Sequence, residues 1–139
     1  MVKVYNIINK VLPLGTYTAM TIWPVIFINK KRQDKYTDRV KRHEYTHVLQ
    51  QIECLVIGCL LSILLFYLGC GWWSLLTLPL FFWIYILEWL IKLPFCLWSW
   101  NLAYYSVSFE QEAYDHQSEV FYNDVRKRFS WFKYLFKTI

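Results

Sequence analysis

Two histidines and one glutamate in the first half of the chain have the spacing of a metal site. Residues 42–47 read Arg-His-Glu-Tyr-Thr-His. On a helix, His43 and His47 share a face, so two imidazole nitrogens can bind one Zn²⁺. Glu44 lies about 100° round the helix from His43, where its carboxylate can reach water on the metal without binding the metal. This His-Glu-x-x-His pattern predicts a zinc site with Glu44 as general base. The alternative is a polar helix end with two surface histidines.

Two His at this spacing leave the metal incompletely bound. A hydrolytic zinc has three protein ligands and one position for water. The third ligand is expected from a segment that returns to the same depth, and its candidates are Glu110, Glu112, Asp115 and His116. An oxyanion would need a further donor beside the metal. The candidates for that role, each with a purely structural alternative, are Tyr104, Tyr105, Tyr114 and His116.

Two glutamines continue the motif. Gln50 is almost in line with His43 two turns on, and Gln51 is four residues beyond His47. Both side chains can therefore lie near the metal face and hydrogen-bond to its ligands. A polar pair at the boundary between water and lipid is the alternative.

The composition favours a membrane protein. Of the 139 residues, 57% are hydrophobic and 21% are aromatic. No Lys or Arg occurs from His43 to Ile91, and the acidic residues in that stretch are Glu44, Glu53 and Glu88. A soluble domain of this size rarely has so long a stretch without a basic residue, so the lipid bilayer is the expected environment.

The basic residues are concentrated on both sides of the apolar region. Most of them lie within residues 30–42 and 126–137, and the net charge is +5. With an even number of spans, the positive-inside rule places both termini on the cytoplasmic side. No aromatic–basic RNA motif or recognition-helix pattern accompanies these residues, which argues against nucleic acid as a partner. Attraction to anionic lipid headgroups is the simpler explanation.

The order of the elements predicts a mainly α, membrane-associated fold. Residues 1–139 form one domain: a His-Glu-x-x-His helix runs into a transmembrane helical hairpin, preceded by a short N-terminal β element and followed by a C-terminal amphipathic helix. The active-site helix and first span are expected at 38–70. After a turn, the second span is expected at 75–93, since each limb approaches the roughly 20 residues needed to cross a bilayer.

The two ends of the domain are less regular. Residues 16–29 are rich in β-branched and aromatic residues and contain Pro24, which predicts two short strands or a bent edge strand. An exposed edge beside zinc could pair with an extended peptide, or the strand could simply pack under the helix. Residues 1–14 fit a short interfacial helix or a strand. Residues 108–137 combine a third-ligand segment with apolar residues at helical spacing, which predicts an amphipathic tail.

Three motifs together resemble a known kind of protein. They are His-Glu-x-x-His-x-x-Gln-Gln from His43, Ser-Phe-Glu-x-Glu-Ala-Tyr from Ser108, and Trp-Pro-Val-Ile-Phe-Ile from Trp23. Over residues 20–117 the chain resembles small bacterial proteins with a gluzincin-type zinc site. More distantly it is similar to the M48 class of membrane metallopeptidases, which combine a zinc helix, a transmembrane hairpin and a returning Glu-x-x-Ala segment.

The resemblance implies a metalloprotease and a ligand set. In the M48 class the first Glu of Glu-x-x-Ala-Asp binds zinc, which corresponds to Glu110, while Glu112 is the second choice. Tyr114 replaces the final Asp, so Asp115 or a Gln would have to orient a ligand. The implied function is a hydrolase of the bacterial inner membrane that cleaves a peptide or protein substrate, with its active site facing the cytoplasm. The alternatives are a non-catalytic membrane protein with a structural zinc site and a membrane-associated interaction module.

Overall fold

One long helix organises the fold. The computed structural model describes residues 2–11, 17–135 and 137. Helix α1 runs Asp38–Leu65, and its first half is buried by the elements around it. The other α-helices are α2 (Leu80–Phe95), α3 (Trp100–Ser106), α4 (Ser108–His116) and α5 (Tyr122–Val125). The fold is therefore mainly helical, with one small sheet.

The sheet has three strands in the order β1-β3-β2, with β1 at Tyr5–Asn9, β2 at Ala19–Ile22 and β3 at Val25–Asn29. Strand β1 is parallel to β3, and β2 is antiparallel to it. The expected β element at 16–29 thus contains two short strands, joined through a cis Trp23–Pro24 bond. Residue 16 lies outside the described residues. Of the N-terminal segment 1–14, for which the sequence allows a helix or a strand, residues 2–11 are described and contain the strand β1, while residues 1 and 12–14 lie outside the described residues.

The sheet packs under the first half of α1. Ile26, Ile28 and Ala19 form a buried cluster with Val48 of the helix. These residues alternate along their strands, so one face of the sheet is apolar toward α1. As a result β2, an edge strand, lies directly beside the face of α1 that carries the histidines.

The second half of α1 is met by a tight return of the chain. Residues 66–70 continue as a π-type turn, and Gly69 and Gly71 have positive φ values of 92° and 55°. The chain then runs back as a 3₁₀ helix over Gly71–Thr77. Thr77 Oγ1 donates a hydrogen bond of 2.9 Å to the carbonyl of Gly58. Because a 3₁₀ helix rises about 2 Å per residue, few residues are needed for this return.

Gly58 makes this close approach possible. A Cβ atom at this position would lie 2.4 Å from the carbonyl oxygen of Thr77, which is backbone and cannot easily move. We expect Gly58→Val to lower the free energy of unfolding by about 1–3 kcal/mol, the usual cost of overpacking. Thermal unfolding in detergent measures this loss. Ile63→Val on the exposed face of the same helix is the control, and an equal effect of both would contradict the close packing.

The second limb differs from the expected span at 75–93. Helix α2 begins at Leu80 and has 16 residues, or about 24 Å at 1.5 Å per residue, which is less than the roughly 30 Å of a bilayer core. Its first turn already lies at the level of the histidines, since the ring of Phe81 is 6.4 Å from that of His47. The 3₁₀ segment completes the return, and α2 then runs past the histidines beside α4.

A possible membrane helix is present. Among residues 2–11, 17–135 and 137, one helical segment, Asp38–Thr77, is long and apolar enough to cross a membrane by length and composition. Core helices of soluble proteins meet the same criterion when they are buried. Here only 17% of the most apolar 18-residue stretch of the segment is buried. Exposed apolar side chains also follow the outer face of α2, namely Phe82, Trp83, Ile86, Leu87, Leu90 and Ile91.

The predicted C-terminal amphipathic helix is not continuous. After α4 the described chain contains the single turn of α5 and a 3₁₀ helix at Ser130–Tyr134. Phe129, with a φ of 57°, interrupts any helix between them. Trp131 is buried against Phe109 and Phe81, so the apolar residues of this segment cover the helices. Residue 136 of the expected 108–137 segment lies outside the described residues.

Candidate metal centre

Three buried side chains converge between α1 and α4. His43 and His47 are each 7% exposed, and Glu110 is 3% exposed. The two Nε2 atoms are 3.1 Å apart. Glu110 Oε2 is 3.3 Å from His43 Nε2, and Glu110 Oε1 is 3.4 Å from His47 Nε2. This group could hold a metal ion.

The distances suit a small tetrahedral cation. Ligands about 2.0–2.1 Å from a tetrahedral zinc lie roughly 3.3 Å from one another. The two imidazole nitrogens, 3.1 Å apart, are close to that separation, and each of them has a different Glu110 oxygen at 3.3 or 3.4 Å. Glu110 Oε2 is also buried without a hydrogen-bond partner among the described residues. A buried carboxylate oxygen normally has a partner, so this atom is suited to bind an ion.

The electrostatics couple Glu110 to the histidines. Burial alone would raise the pKa of Glu110, but His47 and His43 lower it below its usual range. Burial alone would lower the pKa of His47, but Glu110 raises it to about 9. Without a metal, the carboxylate therefore favours a protonated imidazole. A cation bound between these groups would replace that proton.

A chain of buried polar groups fixes the orientation of His47. Its Nδ1 is 2.8 Å from Gln50 Oε1, which leaves Nε2 toward Glu110. The amide of Gln50 donates to Glu112 Oε2 at 2.9 Å and to the Phe109 carbonyl at 3.1 Å. Glu112 accepts a hydrogen bond of 2.7 Å from Arg126. Burial would raise the pKa of Glu112, but the hydrogen bonds from Arg126 and Gln50 lower it below its usual value. Gln50 thus connects His47 on α1 to α4, the helix that carries Glu110.

Gln51 has a different role from the one expected. Its Nε2 donates to the Thr21 carbonyl at 2.8 Å, and its Oε1 accepts from the Trp23 amide at 2.7 Å. The Thr21 carbonyl lies on the edge of β2 that faces away from β3, because Thr18, three residues earlier, pairs with Asn29 and backbone groups alternate between the two edges of a strand. The Trp23 amide follows in the turn after β2. The side-chain amide of Gln51 therefore pairs with the strand edge in place of a peptide.

The two adjacent glutamines provide a matched test. We expect Gln50→Ala to weaken zinc affinity about 10- to 100-fold, because the hydrogen bond that orients a metal-binding His is lost. Gln51→Ala should leave the affinity within about 3-fold, because its partners lie on β2. Competition with a calibrated chelator measures both. Equal affinities for the two variants would contradict the role of Gln50.

Glu44 faces a cavity beside the three ligands. The cavity has a volume of about 550 Å³ and is lined by the ligands together with Glu44, Thr21, Tyr85 and other residues of β2, α2 and α3. Glu44 Oε2 accepts a hydrogen bond of 2.6 Å from Thr21 Oγ1. This contact orients the carboxylate, whose second oxygen can take a proton.

The other candidates lie at different distances from the centre. Tyr104 lines the cavity, and burial together with Glu110 raises its pKa. Tyr114 packs on His43 with ring centroids 4.4 Å apart, and Tyr105 packs on Tyr114. His116 is away from the ligands, stacked on Tyr122 and hydrogen-bonded to Glu119 and Tyr134. Asp115 pairs with Lys137.

Two residues of α2 that sequence reasoning missed support Glu110. Tyr85 donates a hydrogen bond of 2.9 Å to Glu110 Oε1. Glu88 accepts from the Ser108 amide at 2.9 Å and from Ser108 Oγ at 2.6 Å, which fixes the start of α4 two residues before the ligand. Lys92 Nζ lies 2.6 Å from Glu88 Oε1 and compensates the negative charge of this carboxylate. The Glu88–Lys92 spacing predicts an ion pair, but it gives no information about Ser108.

Comparisons with known proteins do not assign the chain to a family. No family model, curated protein or solved structure gives a significant match. The functional interpretation therefore depends on the residues of this chain and their geometry.

Proposed function

We propose that the protein is a membrane-associated zinc peptidase with a gluzincin-like ligand set of His43, His47 and Glu110. The observation that carries this proposal is that the three ligand atoms converge at the wall of a cavity that also contains Glu44. Structural zinc sites are normally closed by four protein ligands, whereas hydrolytic sites have three and an accessible position. Three ligands beside a cavity support the hydrolytic type.

The residues around the cavity can divide the chemistry between them. Zinc supplies the Lewis acidity that activates water at neutral pH. Glu44, held by Thr21, takes a proton from that water and returns it to the leaving amine. Tyr104, which lines the cavity, would donate a hydrogen bond to the developing oxyanion. The distant resemblance of the segment from Glu110 to the Glu-x-x-Ala segment of the M48 class supports the assignment of Glu110 as a ligand.

The proposed location is a bacterial inner membrane. The exposed apolar segment of α1, its 3₁₀ return and the outer face of α2 would contact lipid. The basic residues at both ends of the apolar region favour cytoplasmic termini, and an active site facing the same side is part of the proposal. Lipid and a peptide or protein substrate are therefore the proposed partners.

A structural metal site is the second candidate function. The ligands come from two different elements, α1 and α4, so a metal would brace these helices against each other. In that case zinc would raise the unfolding temperature, and the protein would hydrolyse no peptide.

Metal analysis and a hydrolysis assay test the proposal together. We expect about one zinc per chain after reconstitution, and its loss in His47→Ala and Glu110→Ala. A mixture of internally quenched peptides should be cleaved by the zinc-loaded protein and not after chelation. His116→Ala, which removes a histidine outside the centre, is the control and should retain both zinc and activity. Zinc binding without turnover would favour the structural site.

A further inference from the structure

The cavity extends well beyond the metal centre along α2. Besides the ligands, it is lined by Phe81, Phe82 and Ile86 of this helix and by Trp89 one turn further. Trp100 of α3 also lines it. We call the space between these five side chains the apolar arm. The four of these residues that belong to α2 fall on adjacent stripes of the helix, so the arm follows the helix axis away from the ligands.

The arm has no charged wall and is partly open to the outer apolar surface. Phe82 is 38%, Ile86 is 47% and Trp100 is 67% exposed. These residues therefore belong both to the cavity and to the surface that the proposed function places against lipid. Asn101, which follows Trp100, also lines the cavity but carries no charge, so a charged group in the arm would lose water without gaining an ionic partner, which is unfavourable. An aromatic or branched aliphatic group would bury apolar area against rings.

The size of the space also fits a side chain. About 550 Å³ is within the range of roughly 300–1,000 Å³ typical of ligand pockets, and the metal centre occupies one end of it. A peptide bond beside Glu44 and the ligands would place a neighbouring side chain toward the arm.

We infer that the apolar arm selects peptides with a large apolar side chain next to the scissile bond. This inference rests on the proposed function, because the arm acts on a peptide only if the metal centre binds its amide. Ile86, in the middle of the arm, is the specificity-determining residue. A larger side chain at this position would fill the arm.

Hydroxamates test the arm without requiring turnover, because they bind zinc directly and carry one side chain beside it. The probes are the hydroxamates of N-acetylglycine and N-acetylphenylalanine, titrated calorimetrically into the zinc-loaded protein in detergent. We expect the phenylalanine probe to bind at least about 10-fold more tightly, as burial of an aromatic side chain implies. The metal-free His47→Ala variant corrects for uptake of the probe by micelles.

A matched pair of variants locates the selectivity. Ile86→Trp should fill the arm and reduce the preference, measured as the ratio of the two affinities in this variant, to below about 3-fold. Leu90→Trp makes the same kind of change one turn along α2, at a 51% exposed residue outside the cavity lining, and should retain the preference. Binding of the glycine probe also reports that each variant is folded.

The two ways of failing are distinct. If both hydroxamates bind the wild-type protein equally, or if Ile86→Trp keeps the full preference, the inference about the arm is wrong and the zinc peptidase proposal stands. If neither hydroxamate binds the zinc-loaded protein, the metal has no accessible position, and both proposals are overturned.

Discussion

Replacing Glu44 by glutamine is expected to slow peptide hydrolysis by about 10²- to 10⁴-fold and to leave one zinc bound. The amide keeps the size of the side chain and can still contact Thr21, but it cannot accept a proton from water. Zinc is retained because Glu44 is not among the three converging ligands, His43, His47 and Glu110.

The measurement is the rate of cleavage of a quenched peptide, together with metal content by mass spectrometry. Thr21→Val is a graded companion variant, because it removes the hydroxyl that holds Glu44 at 2.6 Å and leaves the carboxylate in place. We expect it to lose less activity than Glu44→Gln. Full activity of Glu44→Gln would show that another group accepts the proton.

Removing the charge of Arg126 is expected to be the most destabilising single change. Its side chain is 3% exposed and pairs with Glu53 at 2.5 Å and with Glu112 at 2.7 Å. Both carboxylates are largely buried, so Arg126→Met leaves two uncompensated charges inside the protein. Breaking a buried ion pair in this way costs about 3–5 kcal/mol of unfolding free energy.

Denaturant or thermal unfolding in detergent measures this change. Arg128→Met is the control, because the same substitution two residues away affects an exposed side chain. Since Glu112 also binds Gln50, the Arg126 variant should weaken zinc binding as well, through the chain that orients His47. Unfolding of both variants at the wild-type temperature would contradict the structural importance of this network.

Local rules account for the parts of the site that could be predicted from sequence. The spacing of His43 and His47 fixes their common face as soon as the segment is helical, since residues four apart are neighbours on a helix. The four candidates for the third ligand follow from the need for a returning segment. Only Glu110 of these contacts the imidazoles, and the resemblance to the M48 class, rather than any periodicity, implied that choice.

Contacts between residues far apart in the sequence determine the features of the fold and the site that the sequence did not indicate. The start of α2 near His47 depends on Gly58 permitting close backbone approach and on the faster rise of the 3₁₀ segment, neither of which a hydropathy pattern reports. Likewise, Tyr85 and Glu88 read as residues of an apolar span until α4 is placed beside them. The C-terminal apolar residues have helical spacing, but burial of Trp131 against the core prevails over a regular helix.

The amide of Gln51 lying beside β2 affects how copies of the protein can associate with one another. An unpaired strand edge is a template on which a second molecule can add its own strand, and such pairing can spread into aggregates. Because Gln51 already satisfies the Thr21 carbonyl and the Trp23 amide, that template is interrupted at the C-terminal end of β2. Strand addition to this edge of the sheet would thus be disfavoured, even at high protein concentration.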